Sequence, residues 1–385
     1  MTNPRTLNAL ACSLSFMILS RTASAQVTPT FNDVIFATVP RDAGGTVDVM
    51  LDIYLPATGG PWPLVLWIHG GGWQGGTHNG APGSTSLFLN SGIAVASTSY
   101  RLSGDAIFPA QIHDVKGAVR YLRANAATYN LDPTRFGCWG SSAGGHLSAL
   151  LATSGNVAAL EGTSGGNLGF SSRVQAAADY FGPTDILHMN EDITTPPGGF
   201  DHDDPNSPES NLVGWDDPGQ GLADIKANLS NPNPPYPALV ALCNQVNPLT
   251  WLSADDPPIF IGHGTNDSSV PMNQSVRLAD AMLSNALFHD FRIIPAAGHG
   301  FLGADTEVSV RSFFIAQFTD PVVTGDADCN GVLDMADLAH FAQRLVNPAG
   351  YDAAHLGCNT INCDINHDGR TDGRDVNAMI DLLMP

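Results

Sequence analysis

The chain has 385 residues, 43% of them hydrophobic and 8% aromatic, which is enough apolar content for a folded core and argues against intrinsic disorder. A formal net charge of −21, from 37 acidic residues against 16 Lys and Arg, excludes a surface built for nucleic acid or for anionic membrane. Ten Asp and three Arg fall after position 325, so the last sixth of the chain carries a third of the excess and stands apart from the rest.

Residues 1–25 read as a secretory signal peptide: a polar stretch with Arg5, an apolar run over 7–19, and the small-x-small site Ala23, Ser24, Ala25, with cleavage before Gln26. The run is too short to span a bilayer, and Cys12 falls too early in it for a lipoprotein site. The expected location is therefore secreted or extracellular, with the periplasm as a variant. The remaining cysteines, Cys138, Cys243, Cys329, Cys358 and Cys363, are odd in number, so at least one thiol stays free. Cys138 reads as a small buried hydrophobe, and the spacing of the last three leaves their pairing open.

Two β-rich segments, 31–39 and 47–54, flank Asp42, Ala43, Gly44 and Gly45 and read as a hairpin. Continuous apolar runs at 64–68 and 93–97 read as strands buried on both faces. Between them and the next strand, Ile112, Val115, Val119 and Leu122 recur at helical spacing within 109–129. The chain then reaches Gly140, Ser141, Ser142, Ala143 and Gly144, a G-x-S-x-G turn between a short buried strand and a helix. A strand at 174–181 follows. Residues 194–256, rich in Pro, Gly and Asp, are too long for an ordinary loop and read as an insertion covering a site. Strands at 258–261 and 291–294 and helices at 274–287 and 308–318 complete the unit. This alternation is of the α/β class, a mostly parallel sheet with helices on both faces over residues 26–320.

A serine on such a turn is a nucleophile only with a base, an acid and oxyanion donors around it. His299 lies just after the last predicted strand and Asp267 just after the one before it, so Ser142, Asp267 and His299 occur in the order a nucleophile-elbow hydrolase requires. His69 and His263 are rival bases and Asp185 a rival acid; all three sit beside strand ends. His69, Gly70, Gly71, Gly72 and Trp73 follow the strand at 64–68, where glycines let backbone N–H groups approach a substrate oxygen. Gly71, Gly72 and Ala143 are the expected donors, with the Trp73 N–H as an alternative.

From about residue 47 to 318 the chain resembles the α/β-hydrolase superfamily, within the HGGGW-bearing esterases. More narrowly it resembles the bifunctional feruloyl and acetylxylan esterase group. The residues carrying this are Ser99 to Ser103, Phe108 to Val115, Trp139 to Leu147, Phe181 to Asp185, Asp201 to Ser210 and Asp256 to Pro258. The resemblance implies a serine carboxylic ester hydrolase acting through an acyl-enzyme on acetyl or feruloyl esters of plant polysaccharide, with no cofactor for catalysis. Residues 229–245 depart from the group's pattern as an extra Pro- and Asn-rich segment. Amide hydrolysis on the same fold is an alternative, and a calcium-dependent binding protein with a silent hydrolase domain is one of a different class.

Past a linker at 321–325, residues 326–385 hold two calcium-loop patterns. Asp326, Asp328, Asn330, Val332, Asp334 and Asp337 occupy positions 1, 3, 5, 7, 9 and 12 of the first, with Gly331 at position 6. Asp364, Asn366, Asp368, Arg370, Asp372 and Asp375 repeat them with Gly369, positions 7 acting through backbone carbonyls. Helices are expected at 338–346 and 376–383. Duplicated loops each followed by a helix resemble a type I dockerin, which implies a small all-α module, two calcium ions and a cohesin-like partner. Positions 10 and 11, Met335 and Ala336 in one loop and Gly373 and Arg374 in the other, match neither each other nor a typical recognition pair.

Overall fold

A computed structural model of the chain describes residues 27–193, 201–300, 302–318, 324–330, 332–355, 360–366 and 370–384. The predicted signal peptide, the linker residues 321–323, Gly331, Cys358, Asp368 and Gly369 lie outside the described residues. The strands are β1 (Phe31–Pro40), β2 (Thr46–Tyr54), β3 (Trp62–Ile68), β4 (Ala94–Thr98), β5 (Leu131–Ser141), β6 (Ala176–Tyr180), β7 (Ile259–Gly264) and β8 (His289–Ile294). They form one sheet in the order β1-β2-β4-β3-β5-β6-β7-β8. β2 pairs antiparallel with both β1 and β4, and every later pairing is parallel. The hairpin and the mostly parallel sheet are as expected from the apolar runs.

The helices are α1 (Thr85–Asn90), α2 (Ala110–Ala124), α3 (Ala143–Thr153), α4 (Ala158–Glu161), α5 (Pro208–Leu212), α6 (Leu222–Ala227), α7 (Tyr236–Val246), α8 (Asn273–Ser284), α9 (Ala304–Phe318), α10 (Asp337–Val346), α11 (Pro348–Ala354) and α12 (Asp375–Leu383). Side-chain alternation sends Leu64, Leu66 and Ile68 of β3 into one core with α2, α3 and α8, and Val65 and Trp67 into a second with α1 and α9. Both faces of the central strands are thereby dry, which is why their runs carry no polar alternation. α2 stops at Ala124, short of the expected end at 129, where Asn125 takes over as C-cap. α9 begins at Ala304 rather than 308, with Asp305 and Glu307 in its first turn. Within the insertion, residues 201–256 carry α5, α6 and α7. Ser207 caps α5 by accepting from Ser210 N.

Arg101, one of the residues carrying the resemblance, has a structural task. Its guanidinium makes a bidentate pair with the buried Asp114 of α2, at 2.8 Å from both Nε and Nη2.

Residues after 324 form a third small core from Ala327, Phe341, Tyr351, Cys363, Ile365 and Met379. This module rests on β8 and α9. Arg344, 4% exposed, donates to Asp352 at 2.6 Å and across to Asp290 of β8 at 2.8 Å, and Asp290 is shared with Arg292. The Ser312 hydroxyl of α9 donates to the Asp352 carbonyl oxygen at 3.0 Å. Cys329 is disulfide-bonded, while Cys138, Cys243 and Cys363 are free thiols, which removes Cys363 from the pairings the spacing allowed.

Candidate active site

β5 ends at Ser141 and α3 begins at Ala143, so the chain must reverse at Ser142. It does so at φ 56° and ψ −124°, a region a non-glycine residue enters at a cost of about 1–3 kcal/mol. Two bonds hold it there: Ser142 N donates to Tyr180 O at 2.8 Å, and His146 N donates to Ser142 O at 2.9 Å. The flanking glycines are steric requirements. A Cβ on Gly140 would lie 2.2 Å from Gly144 O, and one on Gly144 would lie 2.0 Å from Ile68 O.

Parallel strands deliver the other two residues to the same sheet edge. His299 follows β8 and Asp267 follows the neighbouring β7. His299 Nε2 lies 3.0 Å from Ser142 Oγ and its Nδ1 lies 2.7 Å from Asp267 Oδ2. The carboxylate is itself fastened, since Oδ1 accepts from Ser269 N at 2.8 Å and Val270 N at 2.9 Å. Burial alone would push Asp267 up, but the hydrogen bonds from His263 and His299 outweigh it and hold the acid well below the usual carboxylate range.

The rivals go elsewhere. Asp185 pairs with His188 at 2.7 Å and accepts from Asn247 at 3.2 Å. His263 is buried against Ser275 and the Val270 carbonyl, and its Nε2 lies 3.3 Å from Asp267 Oδ2. His69 stacks on Tyr100 at 4.3 Å between ring centroids, with Nδ1 turned to Gly70 O.

The glycine loop after β3 doubles back tightly, with Gln74 N and Gly75 N both donating to Gly71 O at 3.0 and 3.1 Å. Gly71 at φ 114° and Gly72 at φ 59° need glycine's freedom there. Among the described residues no backbone carbonyl accepts from Gly71 N or Gly72 N. The Ala143 N–H, at the start of α3, has no acceptor within its own helix. All three residues line the same cavity as Ser142 and His299, as does Trp73.

His146 is the part of the site that sequence reasoning missed. Its Nδ1 accepts from Trp73 Nε1 at 3.2 Å, so its Nε2 is the donor to Val246 O at 2.8 Å. Burial pushes its pKa down to about 4 and keeps the ring neutral, as this donor and acceptor pattern needs. It thus ties the glycine loop to α7 of the insertion. The one available signal was its place in the first turn of the helix after Ser142, directly behind Gly144 and Gly145.

The cavity over these groups has a volume of about 1080 Å³. On the insertion side it is bounded by His202, Pro208 and Glu209, where His202 Nδ1 lies 3.0 Å from Glu209 Oε1 in a buried pair. On the other side Trp67, Trp139, Tyr180 and Glu307 line it.

Comparison with known proteins places this geometry. The family described as BD-FAE matches residues 51–282, more than half of the chain. The chain belongs to the BD-FAE family of α/β-hydrolases. Among solved structures similar to this BD-FAE chain, a truncated carbohydrate esterase from gut microbiota is 32% identical, with a TM-score of 0.61 over 75% of this chain and 95% of that one. A bifunctional GH43-CE protein of Bacteroides eggerthii is 35% identical, with a TM-score of 0.59 over 70% of this chain and 36% of that one. Esterase LipQ of Mycobacterium tuberculosis is 29% identical over 72% of this chain and 59% of its own length. The chain spans about half the length of the first curated relatives it matches.

In the C-terminal module, carboxylate oxygens of Asp326, Asp328 and Asp337 all lie within 4.8 Å of one another. Asp337 accepts from Asp328 N at 3.0 Å and Asp334 N at 2.8 Å, and Asn330 accepts from Val332 N at 2.7 Å. The second loop repeats the scheme, with Asp375 accepting from Ile365 N at 2.9 Å, Asn366 N at 3.1 Å and Asp372 N at 2.8 Å. Asp326, Asp337, Asp364 and Asp375 are all buried. Buried like charges at this spacing with only oxygen donors fit a hard divalent cation such as calcium. Arg370 Nε donates to His289 Nε2 at 3.1 Å.

Proposed function

We propose that the protein is a secreted serine carboxylic ester hydrolase. The observation that carries this reading is the continuous hydrogen-bonded series from Asp267 through His299 to Ser142 at the mouth of the cavity. His299 Nε2 takes the Ser142 proton as Oγ attacks the ester carbonyl carbon. The carbonyl oxygen, now an anion, is bound by the N–H groups of Gly71, Gly72 and Ala143. Collapse expels the alcohol, which receives the proton from His299, and leaves the acyl group on Ser142. Water then attacks the acyl-enzyme with His299 as base, releasing the acid and restoring the serine. Asp267 holds the imidazole in the tautomer that presents Nε2 to Oγ and stabilises the imidazolium.

The substrates we propose are acetyl or feruloyl esters on plant polysaccharide. The size of the cavity, the carbohydrate-esterase name of the similar gut-microbiota structure and the polar His202–Glu209 pair on its insertion side support this. The C-terminal loops hold two calcium ions away from the chemistry, through the residues of both Asp-rich loops. The exposed Val332 and Met335 give that module an apolar surface for a cohesin-like partner. Among the described residues no helix is long and apolar enough to cross a membrane.

Substituting Ser142→Ala tests the central reading. p-Nitrophenyl acetate turnover should be lost with the melting temperature retained, and labelling by a fluorophosphonate should disappear with it. Retained turnover would overturn the reading.

A further inference from the structure

Three donor groups outside the Ser142 cavity converge at the β1–β2 end of the sheet. Asp33 lies in β1, Asp52 in β2, and His78 in the loop that continues from the glycine loop after β3. One oxygen of each carboxylate and one ring nitrogen of His78 lie within 4.8 Å of one another. His78 Nε2 is 2.8 Å from Asp33 Oδ1 and 3.9 Å from Asp52 Oδ1. None of the three residues lines the cavity over Ser142.

Alternation along β2 explains the buried carboxylate. Leu51 and Ile53 point into the first core, so Asp52 between them is carried to the opposite face, where it is 2% exposed. A carboxylate withdrawn from water is stable when it is paired or bound to a metal. Among the described residues no lysine or arginine pairs with Asp52; its Oδ1 accepts from Asp33 N at 2.8 Å, and its one basic neighbour is His78. That imidazole, itself buried, carries only one proton on Nε2, and the nearer Asp33 takes it. Two carboxylates therefore compete for one nitrogen, and the buried one is left short of positive charge.

A divalent cation removes this shortage. It takes the lone pair of Nε2 and one oxygen from each carboxylate, so two positive charges stand where a single shared proton stood. An imidazole with two carboxylates is a donor set for zinc and similar transition metals, whereas calcium takes a shell made of oxygens. The spacing agrees. Tetrahedral zinc with ligand bonds of about 2.0 Å holds its donors about 3.3 Å apart, and the separations of 2.8 and 3.9 Å from Nε2 fall on either side of that. The Asp33 side chain, 54% exposed, has room to adjust and leaves an open side for entry of the ion and for water.

We propose that Asp33, Asp52 and His78 bind one divalent transition-metal ion of the zinc type, with water completing its shell. The ion is structural. It fastens the β1–β2 hairpin, at the end of the sheet, to the loop whose Gly76 lies against His69 at the start of the glycine loop. The assignment is independent of the chemistry at Ser142 and of the two Asp-rich loops.

The full chain, stripped of metal and then supplied with excess calcium to fill the Asp-rich loops, is titrated with zinc chloride alone by calorimetry. Wild type should bind one more zinc ion than His78→Ala, and the rise in melting temperature that this ion brings should be lost in the variant. Affinity at the site should fall by more than about 100-fold, since even groups behind a metal's ligands contribute about 10–100-fold. Should His78→Ala fail to fold, Asp33→Ala removes a ligand at an exposed side chain and should show the same loss. Zinc held by other histidines would stay in both variants. Equal zinc binding by wild type and variants, or no zinc binding by the folded wild type, would overturn the assignment.

Discussion

Asp267→Asn separates an orienting acid from a bystander. Its Oδ1 already accepts from Ser269 N and Val270 N at 2.8 and 2.9 Å, so the asparagine carbonyl must stay on that side. The new amide NH2 then faces His299 Nδ1, where the carboxylate oxygen lay at 2.7 Å. Two donors cannot share that contact, so His299 moves its proton to Nε2 and presents an N–H, not a lone pair, to Ser142 Oγ at 3.0 Å. The base is lost without any large movement. Loss of the correct tautomer costs roughly 10⁴-fold in kcat, which corresponds to about 5.5 kcal/mol of barrier. Initial rates on p-nitrophenyl acetate, with a thermal melt to show the fold intact, measure it. The control is Asp185→Asn, whose carboxylate serves His188 and Asn247, and it should stay within about threefold of wild type. A loss below about tenfold in Asp267→Asn, or an equal loss in Asp185→Asn, would refute the assignment.

Gly144→Ala puts a Cβ at 2.0 Å from the Ile68 carbonyl oxygen, backbone that cannot swing away, so the variant should lose activity and at least about 1–3 kcal/mol of stability by denaturant titration. Arg344→Leu removes a buried cation from Asp290 and Asp352, and the module should detach from β8, seen as new proteolytic cleavage after residue 324 and a loss of about 3–5 kcal/mol. Calcium should stabilise the folded chain by about 2.7 kcal/mol per site at a hundredfold excess over Kd, so that it raises the melting temperature and a chelator lowers it; no response would remove the calcium assignment. Glu307 has a folded pKa of about 7 against an ordinary 4.5, raised by burial, so the folded chain keeps a proton that the unfolded chain releases in this window. Its contribution to stability therefore falls as pH rises from about 4.5 through 7. Melts of wild type and Glu307→Gln should show the variant gaining relative stability as pH rises from about 4.5 to about 7 and levelling off above it, and parallel curves across that window would contradict the burial.

Much of the site was legible because it rests on local rules. The strained Ser142 turn needs glycines at fixed offsets, the dry strands need unbroken apolar runs, and chain order brings Asp267 and His299 to adjacent strand ends once the sheet is parallel. The element ends were less legible. α9 starts four residues before its apolar spacing becomes regular, and α2 stops before its expected end, because capping and tertiary contacts decide those limits. α5, α6 and α7 were hidden in the insertion, where Pro235 and Pro237 sit at the start of a helix rather than breaking one.

By itself the sequence determined the α/β class, the strand-turn-helix at Ser142, the order of its partners and the two Asp-rich loops, since each is set by neighbours a few residues apart. Only the tertiary structure showed where the rivals His69 and His263 turn while the expected His299 meets the serine, because strand order and loop direction decide which strand-end side chains come together. It also decided that His146 braces Trp73 and that Arg344 joins the acidic module to β8. Those pairings join residues tens to hundreds of positions apart, and burial makes them matter: a charge or hydrogen-bonding group withdrawn from water must find its partner in space, and spacing along the chain does not say where.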